Sequence, residues 1–134
     1  MNDTILETPP DTTMTCREIN WSLKHIDLAG LHWPAATASE TWPVLMIHGW
    51  LDNALSFARL APALAGNRDV YSLDMAGHGR SGHRPEGQGY QLMDYVADLA
   101  ELVETHFKDS PKGQIDLVGH SLGGIVSLLY AAAF

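Results

Sequence analysis

An α/β domain built on a parallel sheet is the fold class this sequence predicts, and three observations predict it. Residues 44–47, 69–73 and 115–118 are short runs dominated by apolar residues, as expected of strands covered on both faces. The segments between them carry apolar residues at helical spacing. Each run ends in a loop rich in glycine and histidine. Strand, helix, strand, helix, strand, helix in that order is the pattern of a parallel sheet with helices packed on it.

The elements follow in chain order. Residues 1–14, with Pro9, Pro10 and several threonines, read as a flexible tail, and residues 15–134 as a partial domain. Across 16–36 apolar and polar residues alternate: Ile26 and Leu28 with His25 and Asp27, then Leu31, Trp33 and Ala35. This predicts a two-stranded antiparallel hairpin with Gly30 at its turn. Residues 44–47 (Val-Leu-Met-Ile) are apolar on both faces and belong in the middle of a sheet. Residues 53–65 place Phe57, Leu60 and Leu64 on one helical face, but Pro62 divides the segment into two short pieces. Gly66 and Asn67 end it.

Residues 69–73 form the next strand, followed by the glycine-rich loop 74–82. Residues 91–107 carry the clearest helical spacing, through Leu92, Val96, Leu99, Val103 and Phe107. Residues 115–118 are a third buried strand, and the uniformly apolar run 122–134 predicts a helix covered on most sides.

Composition narrows the function classes. The 134 residues suit one domain, and 46% hydrophobic content suits a packed core. A net charge of -8 with only eight Lys and Arg argues against nucleic acid as a partner. The polar N-terminus is unlike a secretory signal, and residues 122–134 are too few to span a bilayer, so no membrane partner is expected. The single cysteine, Cys16, forms no internal disulfide and fits a reducing, cytoplasmic setting.

Chemistry concentrates in 115–124, Ile-Asp-Leu-Val-Gly-His-Ser-Leu-Gly-Gly. A serine hydroxyl is a weak nucleophile unless it is presented openly with a base nearby. Here a strand runs directly into a helix with Ser121 at the turn. Gly119 and Gly123 stand two residues to either side, where chain passes too close for side chains. The helix that follows directs its N–H groups and positive end at the serine. The Leu122 N–H is placed to hold an oxyanion, and the Trp50 N–H, in the loop after the first buried strand, is the candidate second donor. His48 is expected to tie its own loop by hydrogen bonds.

Taken together, His48-Gly49-Trp50-Leu51-Asp52-Asn53, the run Asp74-Met75-Ala76-Gly77-His78-Gly79-Arg80-Ser81, and Gly119-His120-Ser121-Leu122-Gly123-Gly124 resemble the N-terminal half of the α/β-hydrolase superfamily. The first of these runs is most similar to its serine-hydrolase-like proteins. The resemblance implies a cofactor-free hydrolase in which Ser121 forms an acyl-enzyme with an ester, thioester or amide, a small-molecule acyl substrate. It implies a structural role for the loop 74–81 and none as base for His120. Family members that open epoxides or remove halides carry aspartate where Ser121 stands.

In that family the catalytic histidine and its acid follow the serine in chain order. Residues 122–134 contain no His, Asp or Glu. All seven histidines lie upstream, and their spacing matches no zinc pattern, so no metal is expected. The expectation is an N-terminal fragment, truncated after the nucleophile helix and inactive alone. A complementing C-terminal half, or self-association through the sheet edge left open at 115–118, are the partners this implies. The alternative is a non-catalytic binding or dimerising module that reuses the half-fold.

Overall fold

The computed structural model of the chain describes residues 16–37 and 41–134, so the expected tail over residues 1–14 lies outside the described residues. Five strands, β1 (Arg17–Ser22), β2 (Asp27–Trp33), β3 (Val44–Ile47), β4 (Val70–Asp74) and β5 (Asp116–Gly119), form one sheet in the order β1-β2-β4-β3-β5. β1 pairs β2, and β2 pairs β4, antiparallel; β4, β3 and β5 run parallel. The predicted hairpin and three parallel strands are therefore present.

Alternation along β3 explains why its sequence is apolar throughout. Leu45 and Ile47 face a core with Leu28, Leu73, Tyr95, Leu99, Leu102 and Val126, whereas Val44 and Met46 face Trp33, Phe57, Ala61 and Val70. The first core lies under the helices α2 (Leu92–His106) and α3 (Leu122–Ala133). The second lies under a 3-10 turn (Ala54–Phe57) and the short helix α1 (Ala61–Leu64). Pro62 sits at the start of α1, where its missing N–H costs nothing, and the segment is in two pieces as predicted. At the start of α2 the Gln91 N–H donates to the Asp94 carboxylate at 3.0 Å, satisfying one end group.

Two expectations are corrected. Gly30 is not at the hairpin turn. The chain reverses between Leu23 and Ile26, where the Leu23 N–H donates to the Ile26 carbonyl at 2.9 Å, and Gly30 lies inside β2. A Cβ on Gly30 would stand 2.4 Å from the Ser72 carbonyl oxygen and 2.8 Å from the Trp21 ring, so close packing accounts for this glycine. Nor is α3 covered on most sides: Gly123, Val126 and Ser127 are buried, while Ile125 and Leu128 are 53% and 69% exposed. β5 is half-exposed, and among the described residues it pairs only with β3.

The base of β5 is clamped. Arg68 donates to the Trp42 carbonyl and to the Asp116 carboxylate, both within 2.8 Å, and the Trp42 indole N–H also reaches Asp116. The Arg68 hydrogen bond holds the Asp116 carboxyl below the usual carboxylate range. Register then fixes the opposite end. Ile47 stands opposite Leu73 on one side and Gly119 on the other, so the loops that follow β3, β4 and β5 leave from one edge of the sheet. Among the described residues no helix is long and apolar enough to cross a membrane.

Candidate active site

Ser121 is the second of the two residues, His120 and Ser121, between β5 and α3, with φ 55° and ψ -118°. Positive φ in a non-glycine residue is uncommon and costs of order 1–3 kcal/mol. Hydrogen bonds on both sides impose it. The His120 N–H donates to the Ile47 carbonyl at 3.1 Å, and the Gly123 N–H to the His120 carbonyl at 2.9 Å. The Ser121 carbonyl accepts from Gly124 and Ile125 at 2.9 and 3.1 Å, opening the helix. A Cβ on Gly119 would lie 2.4 Å from the Gly123 carbonyl oxygen, and one on Gly123 only 2.0 Å from that of Ile47. Both glycines are therefore sites of backbone contact. Ser121 itself is exposed.

The loop after β3 comes to this turn. A Cβ on Gly49 would lie 3.3 Å from the Ser121 Cβ and 3.3 Å from the His120 Nδ1. Trp50 follows directly and is 56% exposed, and Leu122 is the first residue of α3. Among the described residues, no hydrogen bond takes up the N–H of Trp50 or of Leu122.

Sequence reasoning placed His48 in a loop-tying role and left His78 without one. His48 is fully buried: its Nδ1 lies 2.7 Å from the Gly49 carbonyl oxygen, and its Nε2 accepts from the Met75 N–H at 3.0 Å. A backbone N–H only donates and a carbonyl only accepts, so the proton sits on Nδ1 and the ring is neutral. Burial, aided by the neighbouring His78, pushes the His48 pKa below the ordinary histidine value, against the opposing pull of the Gly49 carbonyl.

Asp74 was also missed. One carboxylate oxygen accepts from the Ala54 N–H at 2.7 Å and the other from the Arg80 N–H at 3.1 Å, so one buried side chain holds both loops. Ser81 closes the second loop, donating to the Asp74 carbonyl while accepting from the Ala29 N–H at 2.8 Å. The visible signal was an acidic residue at the end of an apolar strand, followed by glycines.

No imidazole or carboxylate hydrogen-bonds Ser121 among the described residues. His120 is exposed on the turn. Among the described residues no three His, Cys, Asp or Glu side chains are grouped to hold a metal ion. Cys16 is half-buried, and burial pushes its thiol pKa up, disfavouring the reactive thiolate. The site thus offers an exposed serine at a strained turn, with the unbonded N–H groups of Trp50 and Leu122 on the two segments that meet there and, among the described residues, no imidazole or carboxylate hydrogen-bonded to the serine.

Residues 43–134 match the family described as the alpha/beta hydrolase fold. A serine hydrolase-like protein of Homo sapiens is 37% identical over 103 residues, covering 72% of this chain and 49% of that protein. A hypothetical protein from Pseudomonas aeruginosa has a crystal structure that superposes with a TM-score of 0.74 at 46% identity, covering 87% of this chain and 38% of that one. An alpha/beta hydrolase from Novosphingobium aromaticivorans gives a TM-score of 0.77 at 29% identity, covering 89% and 40%. The chain spans 27% to 49% of the length of curated relatives that it matches.

Proposed function

This chain belongs to the α/β-hydrolase fold family, and on that premise we propose that Ser121 is the nucleophile of an acyl-transfer hydrolase. Its Oγ attacks the carbonyl carbon of an ester, thioester or amide, and its proton passes to a base. The oxyanion that forms is held by the N–H groups of Leu122 and Trp50. Collapse expels the alcohol, thiol or amine, and water then releases the acid from the acyl-enzyme. The observation that carries this reading is the left-handed backbone of Ser121, set between two glycines that leave no room for a side chain.

The base and its acid partner lie outside these 134 residues in this reading. They are supplied by polypeptide that pairs on the free side of β5, whether continuous with this chain or separate from it. Alone, the chain retains the oxyanion donors and loses several orders of magnitude in rate, because an unassisted serine hydroxyl attacks slowly. The half-exposed β5 and the apolar outer face of α3 also favour a second reading, a non-catalytic module that docks a partner there.

The test is hydrolysis of p-nitrophenyl acetate by the purified chain, with mass spectrometry to locate acetyl groups. Slow acetylation confined to Ser121 and abolished in Ser121→Ala supports the first reading. Fast turnover abolished by Ser121→Ala would overturn the statement that the base lies elsewhere. Equal acetylation of wild type and Ser121→Ala would overturn the nucleophile assignment and leave the docking module.

A further inference from the structure

Leu51 is the second residue near the site with a left-handed backbone, at φ 63°. A leucine pays for that conformation, because its Cβ crowds the backbone. It follows Trp50, so the peptide that bends is the one beside the proposed oxyanion donor. Its N–H donates to Nε2 of His78 at 3.1 Å. His78 is almost wholly buried, in the loop after β4, and its Nδ1 lies 3.0 Å from the Ala76 carbonyl oxygen. Leu51 can only donate and Ala76 can only accept, so His78 carries its proton on Nδ1.

The two histidines are therefore crossed. His48, from the loop after β3, accepts from Met75 in the loop after β4. His78, from the loop after β4, accepts from Leu51 in the loop after β3. Their ring centroids lie 5.0 Å apart, and the Trp50 and His78 rings meet T-shaped, with centroids 5.2 Å apart and planes at 72°. Each loop thus presents a backbone N–H to an imidazole of the other.

We propose that His48 and His78 form a reciprocal clasp of two neutral imidazoles, and that His78 is a positioning residue that holds the Leu51 peptide in its left-handed bend and so aims the Trp50 N–H at the oxyanion formed on Ser121. This rests on the nucleophile and oxyanion reading above. His78 touches no reacting atom; it acts through the backbone of the loop. Without an acceptor at Nε2, the bend at Leu51 loses the hydrogen bond that offsets it, and the peptide relaxes toward a conformation that leucine prefers. Protonation of either ring puts a second donor against a backbone donor, so the clasp works only in the neutral state. Burial of His48, which pushes its pKa down, favours that state.

Three measurements on the full chain test the clasp. Long-range proton–nitrogen NMR at pH 7.5 reads the tautomers of the wild type; the expected result is both rings protonated on Nδ1, and a proton on Nε2 of His78 overturns the proposal. Amide hydrogen exchange at Leu51 is the second. His78→Phe keeps the ring against Trp50 but removes the acceptor, and is expected to speed Leu51 exchange at least about tenfold relative to amides of the sheet. His78→Gln restores an acceptor at the same reach and brings the rate back to within about threefold of wild type.

The third is binding of phenylboronic acid, followed by boron NMR. The serine oxygen adds to boron, its proton leaves to solvent, and one boron-bound oxygen occupies the oxyanion position. His78→Phe is expected to weaken this adduct about tenfold, with recovery in His78→Gln. Unchanged Leu51 exchange and unchanged boronate affinity in a folded His78→Phe overturn the proposal. If Ser121→Ala binds boronate as well as wild type, the nucleophile reading fails and with it the oxyanion role of His78, whereas the tautomers and the Leu51 exchange still report on the clasp itself.

Discussion

Replacing Gly123 with alanine, and Gly124 beside it in a parallel variant, tests the construction of the turn that presents Ser121. Both substitutions exchange glycine for alanine inside α3, so both gain about 1 kcal/mol of helix propensity. They differ in what the new methyl group meets. At Gly123 it would stand 2.0 Å from the Ile47 carbonyl oxygen, 2.5 Å from its carbon and 2.6 Å from the His48 carbonyl oxygen. The first of these falls about 1 Å inside the closest approach such atoms make, and Ile47 belongs to β3, which is buried along its whole length. Neither backbone can retreat without breaking the bond from the His120 N–H to Ile47. At Gly124 the nearest atom is the Gly119 carbonyl oxygen at 3.4 Å, an ordinary contact.

Overpacking of this severity costs about 3 kcal/mol or more, which outweighs the propensity gain. The expected result is a melting temperature lowered by roughly 10 °C in Gly123→Ala, and unchanged or slightly raised in Gly124→Ala. Circular dichroism at 222 nm during heating, with urea titration alongside, measures both. A Gly123→Ala melting point within about 2 °C of wild type would refute the close-contact argument. So would an equal loss in Gly124→Ala.

Three further outcomes follow from the packing and charge of the fold. The His48 pKa is depressed in the folded chain, so between that value and the unfolded value of about 6.5 the native state binds fewer protons than the unfolded state. Its contribution is complete above pH of about 6.5 and is lost as pH falls through the folded value, so the stability gap between wild type and His48→Gln, from urea midpoints, narrows below that pH. Arg84 donates to Asp98 at 2.8 Å with both side chains largely buried, and burial pushes the Asp98 pKa up in spite of this partner. Arg84→Leu leaves a buried carboxylate unpaired and should cost about 3 kcal/mol in urea unfolding at pH 7, with the double variant Arg84→Leu/Asp98→Leu losing less. Leu128 is 69% exposed on the outer face of α3, so Leu128→Lys is expected to leave stability within about 0.5 kcal/mol while lowering light scattering on concentration.

Features legible in the sequence were those set by local pattern. The apolar run at 44–47 is β3, Pro62 divides its segment, and the spacing of Leu92, Val96, Leu99 and Val103 is α2. The strand–serine–helix order with flanking glycines locates the turn at Ser121. Features that escaped were set by distant chain. Gly30 is small because of Ser72, which lies far from it in sequence, and of Trp21 across the hairpin, while the true turn at Leu23–Ile26 holds no glycine, proline or asparagine to announce it. His78 accepts from Leu51 and Asp74 from Ala54, each from a different loop some twenty or more residues away, and no spacing rule encodes such partners. The exposure of α3 follows from which strands are present beside it, which its own composition does not state.

On the proposed nucleophile role of Ser121, the position of β5 at the margin of the sheet among the described residues makes the serine a reporter. Twist in a sheet is shared between neighbouring strands, so a strand added to the open side of β5 is expected to shift the peptide that carries Ser121. Arg68 on Asp116 holds one end of the strand and the His120 N–H on the Ile47 carbonyl holds the other, so that shift is carried along the whole strand. Chemical reactivity of one hydroxyl would then measure occupancy of a strand edge, and labelling kinetics at Ser121 could titrate an added polypeptide without any tag upon it.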